Sequence, residues 1–137
     1  MISLADYING QKCFVVVKPG FLDLAQKVIE EFEDAGWSIF ATKTKKLLLP
    51  ESHELYKPHE KEDFYEDLCK YMSSGLSMGI IFTRPGVLGE GFKTVDALKD
   101  KLRKEYGESD MRNLMHSSDN LERARIESQI YFNKGMI

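Results

Sequence analysis

His116 lies in the run Met111-Arg112-Asn113-Leu114-Met115-His116-Ser117-Ser118-Asp119-Asn120, between an apolar pair and a cluster of small polar residues. Asp119 with Glu122 three residues later is a helix-start signature, and Ser118 or Asp119 is the expected N-cap. An imidazole placed there can meet phosphate, because the orphan amides and dipole of a helix N-terminus favour anions. Glu127 follows eleven residues after His116, about two turns into that helix. A carboxylate that accepts from one imidazole nitrogen fixes the tautomer and leaves the other nitrogen nucleophilic. On these residues alone the competing reading is a surface or capping histidine.

The elements that must hold these groups follow from periodicity. Residues 12–17 (KCFVVV) form a short apolar run, read as a buried strand that ends at the turn Lys18-Pro19-Gly20. Ala25, Val28, Ile29 and Phe32 then recur at helical spacing up to Gly36. Trp37, Ile39 and Ala41 alternate as on a half-buried strand, with Phe40 the exception. Pro50 opens a polar helical segment around Tyr56 and His59, and a second helix runs from about Asp63 to Ser74. Met78 to Phe82 is a further buried strand. Val95, Leu98, Leu102 and Tyr106 mark a helix with lysines on its wet face. Residues 111–115 make a short strand, and the last helix runs to about Tyr131. Interleaved strands and helices point to an α+β sandwich in a single domain, residues 1–137, with one sheet covered by helices.

The motif Asn113-x-x-His116-Ser117-Ser118-Asp119-Asn120 resembles the N-x-x-H-G-S-D-S active-site motif of the nucleoside diphosphate kinase family, with Ser117 replacing the glycine and Asn120 the last serine. Val16-Val17-Lys18-Pro19 is similar to that family's turn after the first strand. LYKPHEKEDFYEDLCKYMSSG resembles its H-Y-x-x-H-x-x-x-x-F-F-x-x-L segment, with Leu55 in place of the first histidine. Lys101-Leu102-Arg103-Lys104-Glu105-Tyr106-Gly107 resembles T-I-R-G-D-F-G, closest to the family's divergent branch. The resemblance covers roughly Gln11 to Phe132. It implies a ferredoxin-like α/β sandwich with a four-stranded antiparallel sheet. It also implies a kinase that moves the γ-phosphate of a nucleoside triphosphate to a nucleoside diphosphate through a phosphohistidine. In that frame His116 is the nucleophile, Glu127 its orienting partner and Ser118 the support of Glu127. Lys18 and Arg103 reach the phosphates, Asn113 the sugar hydroxyl, and Tyr56 lies near the phosphates and His116. Phe64 stacks on the base with Leu68 beside it, which suits an enzyme tolerant of base identity. Mg2+ is implied as a companion of ATP, held by phosphate oxygens rather than by a protein cage. The resemblance further implies a homo-oligomer built from dimers.

One segment departs from the pattern. Between Phe82 and Arg103 the chain is several residues shorter than the usual family loop, which supplies another phosphate-binding arginine and a threonine. Lys93 and Thr94 are the nearest chemical substitutes, and Arg84 a less suitable one. Loss of one placed cation costs a few kcal/mol of transition-state stabilisation, roughly two to three decades in rate. The alternative function is therefore a kinase-like module that binds nucleotide or a protein partner without useful turnover.

Composition bounds the partners. The net charge of -3 gives no general attraction to nucleic acid, and the strands lack exposed aromatics interleaved with basic residues. No stretch reaches transmembrane length, and Asp6 interrupts what a signal peptide would need as an apolar run. Cys13 and Cys69 stand in apolar contexts without metal-ligand spacing, consistent with reduced thiols and a cytoplasmic setting.

Overall fold

The computed structural model describes residues 3–137, apart from the side chain of Asp6. Strand β1, Gln11–Val17, is buried along its whole length, as an unbroken apolar run requires when both faces of a strand are covered. It lies inside a sheet of order β2-β3-β1-β4, in which β2 is Ser38–Lys46, β3 Leu76–Arg84 and β4 Met115–Ser117. Each neighbouring pair is antiparallel. Alternate residues of β1 serve two cores. Cys13, Val15 and Val17 pack with helices α2 (Ala25–Asp34) and α5 (Phe92–Tyr106) on one face. Phe14 and Val16 pack with α3 (Leu49–Leu55), α4 (Tyr65–Met72) and α6 (Leu121–Tyr131) on the other. Each large side chain buried there contributes about 1.5–3 kcal/mol. The result is the expected ferredoxin-like sandwich, with a helical layer on each face of the sheet.

Three local readings are corrected. Residues 111–114 are not strand, and β4 begins only at Met115. The Met115 N–H bonds to the Asn113 carbonyl at 3.1 Å across Leu114, whose φ is +83°. This is the rare form of the γ-turn, costly for a branched side chain, and it delays β4 so that His116 is its central residue. Helix α6 is capped by Asn120, whose Oδ1 accepts from the Arg123 N–H at 2.9 Å, not by Ser118 or Asp119. In β2 the register slips between Ile39 and Ala41, so Ile39 is 37% exposed and Phe40 turns toward the first helix, α1 (Leu4–Asn9). The Tyr7 and Phe40 rings lie 5.0 Å apart, and α1 is a helix that the sequence pattern does not mark.

Two close approaches fix the layers around the site. The Gly79 backbone lies against Tyr131, where an added Cβ would come within 2.7 Å of the ring, and the Tyr131 hydroxyl meets Ser77 Oγ at 2.5 Å. These contacts seat the end of α6 on β3. At the turn after β1, Gly20 has φ +88° and presses on Arg112. The Arg112 guanidinium rests 5.7 Å from the Phe21 ring and 5.2 Å from Tyr71. That clamp fastens the 107–114 loop to the Lys18 turn.

Candidate active site

Strand β4 and helix α6 bring His116 and Glu127 together. Glu127 Oε1 lies 2.6 Å from His116 Nε2 and accepts from Ser118 Oγ at 2.7 Å. The second oxygen, Oε2, accepts from Arg123 Nε at 2.9 Å. Burial pushes the Glu127 carboxyl up, but His116, Ser118 and Arg123 outweigh it and hold the group below the usual carboxylate range. An ionised acceptor at Nε2 requires that nitrogen to carry the proton, which leaves the lone pair on Nδ1. Among the described residues Nδ1 has no hydrogen-bond partner, and His116 lines a pocket of about 520 Å³. Burial lowers the imidazole's pKa against the pull of Glu127, so the ring is neutral at neutral pH.

The pocket sits at the β4 edge of the sheet. Lys18, Tyr56, Phe64, Leu68, Arg103, Asn113 and His116 all line it. Lys18 follows β1 and is 2% exposed. Its Nζ donates to Asn113 Oδ1 at 2.7 Å and to the Met111 carbonyl at 3.1 Å. Burial, then the Arg103 and Lys99 charges, bring the Lys18 ammonium down to about 7. Arg103 Nε is tied to the Met115 carbonyl at 2.9 Å, which aims the guanidinium past β4. The Tyr56 ring stands edge-on to His116 with centroids 5.1 Å apart. Its hydroxyl is buried without a hydrogen-bond partner among the described residues, as is that of Ser117. Phe64 precedes α4 and is 46% exposed, leaving a flat apolar face at the rim. A half-buried imidazole nitrogen with a free lone pair, cations and unpartnered hydroxyls in one pocket suit an anionic oxygen cluster beside an apolar planar group.

A protein-family model described as nucleoside diphosphate kinase matches residues 11–137. This chain belongs to the nucleoside diphosphate kinase family. A relative from Kosmotoga olearia, a nucleoside diphosphate kinase, is 31% identical over 136 residues, spanning 93% of this chain and 92% of its own. The nucleoside diphosphate kinase of Methanococcus maripaludis is 29% identical over 132 residues, covering 90% of this chain and 99% of its own. Among solved structures, the Aquifex aeolicus nucleoside diphosphate kinase superposes with a TM-score of 0.78 at 23% identity, over 90% of this chain and 95% of that one. At that identity the likeness speaks to the fold.

Against the family frame, the structure does not bring every expected residue to the pocket. Lys93 is exposed on α5 and is not among the lining residues. Arg84 is committed elsewhere. It donates to Gln11 Oε1, to the Ala35 carbonyl and to Thr94 Oγ1, and stacks 4.6 Å from the Trp37 ring. Thr94 is thereby engaged at the far end of the helix. Conversely, Lys99, His59, Asp110, Met111 and Asp119 also line the pocket, and Arg123 holds Glu127 from behind. Arg123 was legible as an arginine four residues before a glutamate on one helix face.

Proposed function

We propose that this family member transfers the terminal phosphoryl group of a nucleoside triphosphate to a nucleoside diphosphate through a phosphohistidine at His116. The observation that carries the reading is the Glu127 carboxylate 2.6 Å from Nε2, which leaves Nδ1 unprotonated on the pocket side. In the first half-reaction Nδ1 attacks the γ-phosphorus, the N–P bond forms and the bond to the β,γ-bridging oxygen breaks. The diphosphate leaves with that electron pair. In the second, a terminal oxygen of another nucleoside diphosphate attacks the phosphorus, the N–P bond breaks and neutral His116 is restored. No proton need move at Nδ1 in either step.

The remaining residues take supporting parts. Lys18 and Arg103 face the phosphates, where positive charge set in place stabilises the transition state. The Tyr56 hydroxyl, held protonated by burial, donates to a phosphate oxygen. Asn113 reaches the sugar hydroxyl, Phe64 with Leu68 stacks the base, and Ser118 holds Glu127. Among the described residues no group of three or more His, Cys, Asp or Glu side chains is placed to hold a metal ion. The pocket's own anions are Asp110 and Asp119, amid cations. That donor set fits Mg2+ arriving on the triphosphate's oxygens, where it would neutralise phosphate charge. The assembly proposed is a homo-oligomer built from dimers, supported by β2 lying at the sheet edge. A cytoplasmic location is supported by the buried, unpaired Cys13 and Cys69. No helix is long and apolar enough to cross a membrane among the described residues.

The test is a two-step incubation. With ATP and Mg2+ the intact mass should rise by one phosphoryl group, and His116→Ala should abolish the rise. Added GDP should then be converted to GTP with loss of the label. Wild-type protein that never gains the group, or gains it and never passes it on, rejects the reading.

A further inference from the structure

We infer that Lys99 is a phosphate-binding residue of this pocket, standing where the shortened segment before Arg103 leaves a cation wanting. The inference rests on the nucleotide reading of the pocket and adds a residue to it. Lys99 lies one turn ahead of Arg103 on α5, so the two side chains project from the same helix face. Both line the pocket with Lys18 and His116. The Lys99 side chain is only 14% exposed, unusual for a lysine, a type rarely buried unless paired. Its ion-pair partner among the described residues is Asp96, at 3.7 Å and half-exposed, a contact worth little in water. A ligand phosphate would supply the counter-charge that this enclosed, weakly paired lysine lacks.

The neighbouring charges agree. Lys99 and Arg103 both press on Lys18 and help depress its ammonium. Lys18, Lys99 and Arg103 outnumber the lining acids Asp110 and Asp119, and a polyphosphate would relieve the repulsion among the three cations. The Tyr56 and Ser117 hydroxyls, buried without partners, add donors that phosphate oxygens would satisfy. The rival cations are disposed of by the geometry. Arg84 is held by Gln11, Ala35 and Thr94, and Lys93 points to solvent from the same helix. Lys99 acts as a point charge rather than a bidentate fork, so Lys99→Arg should keep most of the function.

The probe is ADP binding by calorimetry, with the rate of His116 phosphorylation by ATP measured alongside. Lys99→Gln should weaken ADP binding about ten- to a hundredfold. Lys99→Arg should stay within about threefold, and Lys93→Gln should leave affinity unchanged. Removing the Lys99 charge should also move the pH midpoint of ADP binding upward, because Lys18 then regains part of its basicity. Lys99→Gln binding ADP within threefold of wild type, or a loss equalled by Lys93→Gln, overturns the inference while leaving the His116 chemistry standing. Wild-type protein that binds ADP but forms no phosphohistidine overturns the catalytic reading while leaving Lys99 in place. Thermal unfolding of each variant separates lost binding from lost fold, and if Lys99→Gln fails to fold, Lys99→Met is judged by the same thresholds.

Discussion

Replacing Glu127 by glutamine probes the site at its most informative atom. The carboxylate takes three donors on two oxygens: His116 Nε2 and Ser118 Oγ on one, Arg123 Nε on the other, at 2.6, 2.7 and 2.9 Å. A glutamine offers one acceptor, so its amide must turn two hydrogens toward either the His116–Ser118 pair or Arg123. The better arrangement keeps the carbonyl on His116 and leaves Arg123, 16% exposed in its side chain, facing a donor. A hydrogen bond to a charged acceptor is worth about 1.5–3 kcal/mol against roughly 0.5–1.5 for a neutral one. The difference of about 1–2 kcal/mol, taken from the transition state in which the imidazole gains positive character, slows phosphorylation about five- to thirtyfold. Loss of Arg123's partner should cost about 2–4 kcal/mol of stability. Protonation cannot account for the slowing. Glu127 is what raises the His116 pKa against burial, so its removal leaves the imidazole neutral to still lower pH. The assay is single-turnover phosphorylation by radiolabelled ATP in a rapid-quench apparatus, below the variant's melting temperature. A folded Glu127→Gln protein that phosphorylates within twofold of wild type would refute the reasoning.

Nucleotide affinity should depend on pH through Lys18. The free pocket holds its ammonium near 7 and a bound phosphate raises that value, so ADP affinity should fall as pH rises above about 7, by up to about tenfold per unit; calorimetry that shows a flat profile and no proton uptake at pH 8 contradicts this. The same residue lowers stability at neutral pH. Its folded value lies below the unfolded one of about 10.4, so the unfolded chain holds more protons between the two and stability rises with pH across that window; Lys18→Met should therefore raise the melting temperature at pH 7 while ADP binding collapses. Phe64→Ala, at a rim position 46% exposed, should weaken nucleotide binding by about 1–3 kcal/mol, with unfolding free energy changed by less than about 0.5 kcal/mol. Gly79→Ala places a methyl 2.7 Å from the Tyr131 ring and should cost about 1–3 kcal/mol on denaturant unfolding, slowing phosphorylation through the displaced α6.

Much of the frame is readable from patterns that one physical cause sets. The run KCFVVV must be covered on both faces, and it becomes the inner strand β1. Val95, Leu98 and Leu102 recur at helical spacing, and they form the inner stripe of α5. His116 and Glu127 are joined by a strand, a cap and two helical turns, a spacing that local geometry almost fixes. What is lost to sequence reading involves contacts between distant segments. Lys99 and Arg103 lie one step around the helix from Leu98 and Leu102, at the border of the apolar stripe. Periodicity counts them as wet, and only the packing of α5 against β4 turns them into the pocket. Strand β4 is three residues long, too short for alternation to register. Its start is set by a γ-turn at Leu114 that no propensity favours. By local pattern Ser118 reads as a helix cap, a position serine favours; the family resemblance rather than the pattern pairs it with Glu127, which takes its hydroxyl. Arg84 looks like a free cation until the fold lays it on Trp37.

The most direct measurement is the site of phosphate attachment on the histidine. After incubation with ATP and Mg2+, phosphorus–nitrogen correlation spectroscopy on protein labelled at the imidazole nitrogens distinguishes the two isomers. The geometry predicts the phosphoryl group on Nδ1 of His116, with Nε2 still protonated against the Glu127 carboxylate. Phosphate on Nε2, or on any side chain other than His116, contradicts the account.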